Sequence, residues 1–328
     1  MLPKFHSILV IGSGSWARAI LKILQESGFF ETVQWYVRDP GKAKIFLDQW
    51  EKKFIKTSQE IRIYNPLDPP LSADVVLHAV PAAFSPRWYA DADLGRLRPL
   101  CVISAAKGVV PEFRVSALNW LKQQFRAEHF LFLGGPCHSE EVMQSSRSYL
   151  TLGCHNIAMA RSLASAFTTP YVTVAVSAFP EALEMFGILK NVMAIAVGMA
   201  QGLGYGDNFT AILVAAAFRE VTKVATEMGM MPGLDVAMGG GFLGDLLVTC
   251  FSPHSRNRRL GELLAQGLSS EQALQEIHMV PEGYYILKAW ASWLSAPEFP
   301  ICQTLCRIFD GRNEPAEAFK SLEYQLEK

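Results

Sequence analysis

The sequence predicts an α/β domain built on a parallel sheet, followed by an all-helical domain. In the first half of the chain, short runs rich in β-branched residues alternate with helical patterns, which is typical of parallel strands joined by helices. From about residue 179 onward, long helical patterns follow one another without a convincing strand. The chain has 328 residues, 50% of them apolar, which is enough for two domains with sizeable cores. We therefore expect one domain over residues 1–178 and a second over residues 179–328.

The individual elements follow from the same periodicities. The run 73–80 is almost continuously apolar, as expected for a strand buried on both faces of a sheet. The predicted strands are 7–11, 32–37, 73–80, 100–105, 130–133, 149–152 and 171–176. The predicted helices are 16–27, 42–56, 181–202, 210–229, 256–265, 270–277, 283–296 and 314–326. A helix cap is expected at Asp207 or Asn208.

Composition and charge argue against several classes of protein. A net charge of −1 gives no support to nucleic-acid wrapping or to polybasic membrane attachment, so any bound anion should be small and locally held. The six cysteines are too sparse for a disulfide scaffold and lack metal-site spacing, so we expect reduced thiols and no metal. The N-terminus does not resemble a signal peptide, and the most apolar stretch, 192–204, is shorter than the ~18 residues of a membrane span. We expect a cytoplasmic protein without membrane insertion.

A glycine-rich turn follows the first predicted strand and opens a helix. Gly12 makes a tight turn possible, Gly14 lets a pyrophosphate approach the backbone, and the small Ala17 lets helix and strand pack closely. The helix N-terminus adds N–H groups that bind phosphate. A plain turn would show the same pattern, but its place at the start of a βαβ unit favours a dinucleotide site in a Rossmann-type domain.

The end of the second predicted strand bears on which nicotinamide cofactor binds. An acidic residue there would bind the ribose hydroxyls of NAD, whereas an arginine could pair with the 2′-phosphate of NADP. Because Arg38 comes first and Asp39 second, we favour NADP(H). NAD(H) stays open, since Asp39 could accept from a ribose hydroxyl and both residues could simply belong to a turn. Pro81 would either stiffen the turn beside the nicotinamide or only end its strand.

Lys190 lies in an unusually apolar helical stretch. It is the only charged residue between Phe186 and Gly206, and a helix that is apolar all round is buried. Burial lowers the pKa of an ammonium towards neutrality, where it can act as a general acid or base, although a lysine can also reach the surface. Asp245, in another apolar segment, is the candidate partner. Lys107 follows a strand end and either points into a cleft or is a solvated loop residue.

The densest basic cluster contains Arg256, Arg258 and Arg259. Ser255 is predicted to cap the helix that follows, which places Arg256 and Asn257 in its first turn. Cations there oppose the helix dipole, a conflict that a bound anion would resolve, and arginine offers phosphate a bidentate fork. The alternative is a solvated basic face, but the nearly neutral chain favours a small phosphate ester.

Together these segments resemble one family, the NAD(P)-dependent glycerol-3-phosphate dehydrogenases of bacterial type. The glycine fingerprint is unspecific, whereas Lys190-Asn191, the segment 244–246 and the segment 255–259, in this order, are highly specific. The resemblance runs from residue 8 to about residue 288. The matching segments are 12–16, 106–108, 134–136, 189–196, 202–208, 244–246, 249–250, 255–261 and 280–283.

The resemblance implies a homodimer that reversibly reduces dihydroxyacetone phosphate to sn-glycerol 3-phosphate with NAD(P)H and so supplies glycerophospholipid synthesis. It implies a catalytic group of Lys190, Lys107, Asp245 and Thr249. The implied cofactor contacts are Gly12, Gly14, Ser15, Trp16, Arg38, Lys107, Ser139, Arg256, Val280 and Glu282. The implied substrate contacts are Lys107, Gly135, Cys137, Lys190, Asp245, Ser255, Arg256 and Asn257.

The sequence departs from the family pattern at several positions, and other functions stay open. The departures are Cys137-His138-Ser139 for Ser/Thr-Phe-Ala, Phe242 for glycine, Ala216 for a frequent arginine, and Tyr36 for tryptophan. They leave the lysines, the aspartate and the basic turn intact, so we expect the reaction type to survive. The alternatives are a dehydrogenase of hydroxy acids or sugar acids, a non-catalytic nucleotide-binding regulator, and a methyltransferase, which would leave the buried lysine unexplained.

Overall fold

A computed structural model describes residues 3–51, 61–67, 72–90, 94–277 and 280–326. The chain divides into two compact units, one of residues 1–106 and 117–181 and the other of residues 107–116 and 182–328. The second unit therefore takes in the short segment 107–116, which the expected division at residues 178 and 179 leaves in the first domain. Lys107 lies in this segment, so it belongs to the same unit as Lys190 and Asp245.

The described elements alternate strands and helices in the first unit and are mainly helical in the second. The strands are β1 (Ser7–Ile11), β2 (Thr32–Tyr36), β3 (Ile61–Tyr64), β4 (Val75–His78), β5 (Cys101–Ser104), β6 (Val109–Val110), β7 (Val115–Ser116), β8 (His129–Gly134), β9 (Ser148–Gly153) and β10 (Val172–Ser177). The helices are α1 (Ser15–Ser27), α2 (Pro40–Glu51), α3 (Ser85–Ala90), α4 (Ala117–Gln124), α5 (Ser139–Met143), α6 (Ile157–Ala164), α7 (Pro180–Gly202), α8 (Asp207–Glu227), α9 (Leu234–Ala237), α10 (Asp245–Phe251), α11 (Arg256–Ala265), α12 (Ser270–Ile277), α13 (Glu282–Leu294), α14 (Pro300–Phe309) and α15 (Pro315–Glu323).

Across its described residues, the first unit contains a sheet of eight strands in the order β10-β9-β8-β5-β4-β1-β2-β3. The central strands β4 and β5 are buried along their whole length, as their continuous apolar runs predict. Neighbouring strands are parallel except β8 and β9, which pair antiparallel, so the sheet is mostly rather than wholly parallel. The edge strand β3 was not predicted, because its half-exposed residues give a weak signal.

The predicted helices of the second half agree closely with the structure, although three described helices were missed. α11 and α12 begin and end at the predicted residues. Asp207 is the first residue of α8 and makes no side-chain cap, so the expected cap there is wrong and Gly206 holds the cap position. The prediction missed the four-residue helix α9. It also missed α10, which continues directly from a π-helical turn at Gly240–Gly244, and α14, which begins at a proline. Residues 52–56 of the predicted helix 42–56 lie outside the described residues.

The core helix of the second unit is α7. With 23 residues it is long and apolar enough to cross a membrane, so the expectation that no stretch reaches that length is wrong. The most apolar window of α7 is 100% buried inside the protein, as in the core helix of a globular domain. Its apolar surface is therefore already covered by protein.

Two glycines let α7 and α11 pack backbone to backbone. A Cβ on Gly198 of α7 would lie 1.8 Å from the carbonyl oxygen of Arg258, and one on Gly261 of α11 would lie 2.0 Å from that of Ile195. Any larger residue at either position would push the helices apart. This close crossing places the first turn of α11 beside the stretch of α7 that carries Lys190 and Asn191.

Candidate functional site

One carboxylate binds two lysines inside the second unit. The Lys190 ammonium donates to Oδ1 of Asp245 at 2.5 Å and to the Thr249 hydroxyl at 2.8 Å. That hydroxyl donates in turn to the backbone oxygen of Asp245 at 2.7 Å. The other carboxylate oxygen, Oδ2, accepts from the Lys107 ammonium at 2.9 Å. The structure thus brings together all four residues predicted to form the catalytic group.

Local structure explains how these side chains meet. Asp245 is the first residue of α10, and Thr249 follows one turn later on the same face of that helix. Lys190 lies in the middle of α7, with only 6% of its surface exposed, and Asp245 is 2% exposed. Charges buried this deeply require partners, and each of the two supplies the other. Lys107 approaches from the segment that precedes β6 and is partly exposed.

The surroundings of Lys190 bring the pKa of its ammonium close to neutral pH. Burial lowers the pKa of Lys190 to about 7, since the attraction of Asp245 opposes the loss of hydration only in part and Lys107 adds repulsion. Burial alone would raise the pKa of Asp245, but the two ammonium groups outweigh it and hold this pKa below its usual value. At neutral pH, Lys190 can therefore donate or accept a proton beside a carboxylate that stays charged.

A chain of amides connects the predicted catalytic group to the start of α11. Asn191 donates to the backbone oxygen of Lys107 at 2.8 Å and accepts from the Asn257 amide at 2.9 Å. The Asn257 oxygen accepts from the N–H of Gly283 at 3.0 Å. The Asn257 side chain therefore holds three segments together. Its backbone N–H lies in the first turn of α11, where the helix offers it no acceptor.

The start of α11 has the composition of an anion site. Ser255 caps the helix as predicted, since its side chain accepts from the N–H of Arg258 at 3.3 Å. Arg258 is paired with Glu262 and Gln201, and Arg259 with Glu262 and Glu276. Arg256 is exposed, and it makes no ion pair or hydrogen bond within the part of the chain that the structure describes. Of the three arginines, Arg256 is thus the one free to bind a ligand.

Two predicted cofactor contacts of the second unit lie at the start of α13. Val280 and Glu282 are half-buried and flank Pro281, the residue before the helix begins. The hydrogen bond from Gly283 to Asn257 fixes this segment beside the first turn of α11. Their contact with a cofactor stays a prediction.

The glycine turn of the first unit fits a dinucleotide. Gly12 has a φ of +129°, and a Cβ there would lie 2.8 Å from the carbonyl oxygen of Ala79, so the position requires glycine. Gly14 precedes α1 in open space, and the first turn of α1, with Ser15 and Trp16, contains no acidic residue. The indole N–H of Trp16 is buried without an acceptor among the described residues. An unfilled donor and an uncapped helix start suit a phosphate ligand.

A cavity of about 180 Å³ adjoins this turn. It is lined by Ser13, Gly14, Arg38, Ala79, Val80, Pro81, Phe84 and Trp88, which surround the carboxyl ends of β1, β2 and β4. Ligands of open α/β sheets bind at such ends. Asp39 is not in this lining, and its carboxylate accepts from the Lys42 N–H at 3.1 Å and pairs with the Lys42 ammonium. The cavity therefore presents an arginine rather than a carboxylate.

The loop after β8 carries the remaining predicted contacts. Gly135 has a φ of +120°, and a Cβ there would lie 2.8 Å from the Tyr149 carbonyl oxygen, so this position also requires glycine. Cys137 is half-buried. Ser139 begins α5, and its hydroxyl donates to Glu140 at 3.0 Å. The substrate and cofactor roles of this loop stay predictions.

Three of the departures from the family pattern are core residues. Phe242 is 3% exposed and packs edge-to-face on Phe186, with ring centroids 5.1 Å apart. Ala216 is buried in α8. Tyr36 is buried and packs against Trp88, which lines the cavity beside the glycine turn, with ring centroids 6.3 Å apart. None of the three disrupts the cluster of Lys190, Asp245, Lys107 and Thr249.

Comparison with known proteins identifies the family of the chain. Residues 7–160 match the family model described as NAD-dependent glycerol-3-phosphate dehydrogenase N-terminus, and residues 180–320 match the model of its C-terminus. A relative from Syntrophomonas wolfei, named glycerol-3-phosphate dehydrogenase (NAD(P)+), is 32% identical over 295 residues, or 88% of this chain and 84% of the relative. A relative of the same name from Fusobacterium nucleatum is 30% identical over 96% of both chains.

Solved structures show the same fold. The glycerol-3-phosphate dehydrogenase of Coxiella burnetii superposes with a TM-score of 0.81 at 23% identity, covering 99% of this chain and 100% of that one. The enzyme of Plasmodium falciparum gives 0.81 at 20% identity, covering 97% and 94%. The family models, the sequence relatives and the fold agree, and the chain belongs to the NAD-dependent glycerol-3-phosphate dehydrogenase family of enzymes.

Proposed function

We propose that this chain catalyses the reversible reduction of dihydroxyacetone phosphate to sn-glycerol 3-phosphate with NAD(P)H. The observation that carries this proposal is the buried cluster in which Asp245 binds both Lys190 and Lys107. A buried lysine with a pKa near 7 is suited to proton transfer to and from an alcohol oxygen. The names of the sequence relatives support the substrate pair.

In the proposed mechanism, the first turn of α11 binds the substrate phosphate. Arg256 supplies a bidentate fork, and the backbone N–H groups of Arg256 and Asn257 supply further donors. Fixing the phosphate orients the ketone for reaction, and such orientation can contribute several kcal/mol, on the order of 7 or more in favourable cases. The phosphate would also resolve the conflict between the helix dipole and the arginines in the first turn.

Lys190 then acts as the general acid. When bound, the reduced nicotinamide supplies the hydride to the carbonyl carbon of the substrate. The Lys190 ammonium donates a proton to the carbonyl oxygen and becomes a neutral amine, which completes the alcohol. Lys107 stabilises the negative charge that develops on this oxygen. Asp245 orients both lysines, and Thr249 fixes the position of the Lys190 ammonium through its hydroxyl.

For the cofactor, we propose a preference for NADP(H) over NAD(H). Arg38 lines the cavity beside the glycine turn, while the carboxylate that would bind the ribose hydroxyls, Asp39, is engaged by Lys42. A guanidinium binds a 2′-phosphate bidentately but gains little from a hydroxyl.

The decisive experiment measures oxidation of NADPH and NADH with dihydroxyacetone phosphate, and with dihydroxyacetone as the control without phosphate. We expect turnover with the phosphate ester only, and none for Lys190→Ala, whose affinity for the cofactor should be nearly unchanged. Equal activity on dihydroxyacetone would contradict the phosphate site. Activity on hydroxy acids in place of the triose phosphate would point to a different dehydrogenase, and full turnover by Lys190→Ala would exclude its acid role.

We also propose that the enzyme is a cytoplasmic homodimer without membrane insertion whose product feeds glycerophospholipid synthesis. The complete burial of the apolar window of α7 supports the absence of a membrane span. Light scattering on the purified chain tests the dimer, and a mass of 36.3 kDa in solution would contradict it.

A further inference from the structure

Trp88 lies on α3 and lines the cavity that also contains Arg38. We propose that Trp88 is a positioning residue, which holds the Arg38 guanidinium in place and so makes the cavity selective for a 2′-phosphorylated adenosine. This inference rests on the proposed function only in requiring that the cavity binds the adenosine end of a dinucleotide. It does not depend on the identity of the reduced substrate.

The contact between the two side chains is a cation–π interaction. The central guanidinium carbon of Arg38 lies 4.9 Å from the centroid of the Trp88 ring, within the range of about 6 Å over which the ring attracts a cation. Arg38 is exposed, and it makes no ion pair or hydrogen bond in the described ranges. Its neighbour Asp39 is engaged by Lys42. The indole face is therefore what orients this guanidinium.

Trp88 is itself held rigidly. It is 5% exposed, and its ring packs at an angle against Tyr36 at the end of β2, with centroids 6.3 Å apart. Because Arg38 follows β2 by two residues, the same strand end carries both the packing surface of Trp88 and the cation above it. The indole thus cannot move away from Arg38 without losing its contact with Tyr36.

A buried histidine anchors α3 to the sheet. His78, the last residue of β4, makes hydrogen bonds from Nε2 to the Ser85 hydroxyl at 2.9 Å and from Nδ1 to the Tyr89 hydroxyl at 3.2 Å. Burial lowers the pKa of His78 to about 3, so the ring stays neutral and keeps one donor and one acceptor. Tyr89 packs on Trp120 with ring centroids 4.9 Å apart. These contacts fix both ends of α3 on either side of Trp88.

The orientation of Arg38 matters most for a ligand that carries charge at the 2′ position. A phosphate there would accept both arms of a preorganised fork, whereas a hydroxyl would gain little from it. Without the indole, the Arg38 side chain would lose conformational entropy when it binds the phosphate. This loss would weaken the binding of the 2′-phosphorylated ligand. Selectivity should therefore depend on Trp88 even if Trp88 never touches the phosphate.

The test is equilibrium binding by calorimetry of adenosine 2′,5′-bisphosphate and adenosine 5′-monophosphate to the full chain. We expect the wild type to prefer the bisphosphate. Trp88→Leu, which keeps an apolar side chain without a π face, should raise the Kd of the bisphosphate by about threefold to thirtyfold. The Kd of the monophosphate should change less than twofold. Trp293→Leu is the matched control, because it removes an indole that packs edge-to-face on Phe299 in the second unit, outside the cavity lining and in a different unit from α3.

A double-mutant cycle distinguishes two roles of Trp88: holding the Arg38 guanidinium in place, or only forming part of the cavity wall. In an Arg38→Gln background, Trp88→Leu should have no further selective effect on the bisphosphate. Trp88→Phe keeps an aromatic face and should give an intermediate ratio of the two Kd values, and it carries the test if Trp88→Leu fails to fold. Equal weakening of both probes, a selective effect that persists without Arg38, or a wild type without preference would each overturn the proposal. Selective binding without turnover of dihydroxyacetone phosphate would instead refute the proposed function alone.

Discussion

Replacing Asp245 by asparagine tests the link between buried charge and proton transfer. The substitution keeps the shape of the side chain and removes the charge that lies 2.5 Å from the Lys190 ammonium and 2.9 Å from that of Lys107. At 2.5 Å, two unit charges attract by about 7 kcal/mol in an effective dielectric of about 20. Even if relaxation and the amide dipole recover four-fifths of this energy, about 1.4 kcal/mol remains, which corresponds to one pKa unit.

The sign of the expected effect follows from the wild-type pKa of Lys190, which burial lowers to about 7. Ketone reduction needs the ammonium, so its kcat/KM should fall as the pH rises through about 7. Alcohol oxidation needs the neutral amine and should rise through the same range. In Asp245→Asn the pKa of Lys190 falls further, so both inflections should move down by at least about one pH unit. Ketone reduction at pH values above the inflection should then lose about tenfold or more.

The assay is kcat/KM against pH in both directions, monitored by the absorbance of the reduced nicotinamide. Asp207→Asn is the matched control, since it removes one negative charge from the exposed first turn of α8. Because breaking a buried ion pair costs about 3–5 kcal/mol of unfolding free energy, activity must be measured well below the melting temperature of the variant. An unchanged inflection in folded Asp245→Asn would refute the assignment of this titration to Lys190.

Three further substitutions test the anion site, the close crossing of α7 and α11, and the start of α14. Arg256→Ala should raise the KM for dihydroxyacetone phosphate with little change in kcat, because it removes binding shared by the ground and transition states, whereas Arg259→Ala, whose partners are glutamates, should change neither. Gly261→Ala should lower the unfolding free energy by at least about 1–3 kcal/mol, since the new Cβ would lie 2.0 Å from the Ile195 carbonyl oxygen. Denaturant titrations measure this loss, with Gly240→Ala, which has open space around it, as the control. Equal stabilities of the two variants would contradict the close helix crossing. Glu220→Ala should cost about 1–3 kcal/mol in the same titration, because its carboxylate accepts from the N–H groups that begin α14, and an unchanged midpoint would show that these groups find other acceptors.

Much of the fold was predictable because it is encoded locally. The continuous apolar runs of β4 and β5 identified buried parallel strands, and the pattern of α11 gave both its ends and its Ser255 cap. The elements that were missed have weak local signals. The strand β3 is half-exposed at the sheet edge, and α10 follows a glycine-rich π-helical turn that interrupts the helical period.

For the candidate site, the sequence could predict which residues take part but only some of the contacts between them. A single lysine in an apolar helix indicated a buried, perturbed ammonium, and Asp245 was the plausible partner. The sequence could not show which of the three arginines of α11 are paired within the protein. Gln201 and Glu276, which bind two of them, lie on other helices. The contact between Trp88 and Arg38 had no sequence signal either, since Arg38 lies in the loop after β2 and Trp88 lies on α3, 50 positions later in the chain.

The sequence by itself determined the order and type of most elements, the burial of Lys190 and the cap of α11, because hydrophobic period and capping act within a few residues. Only the tertiary structure decided that one carboxylate would bind Lys190 and Lys107 at once, and that residues 107–116 would belong to the second unit. Those contacts join residues 55 and 138 positions apart, and helix packing, including the glycine crossing of α7 and α11, sets their distances. The residue types thus determine which chemical groups the site contains, while the packing of the helices sets their burial and the distances between their charges.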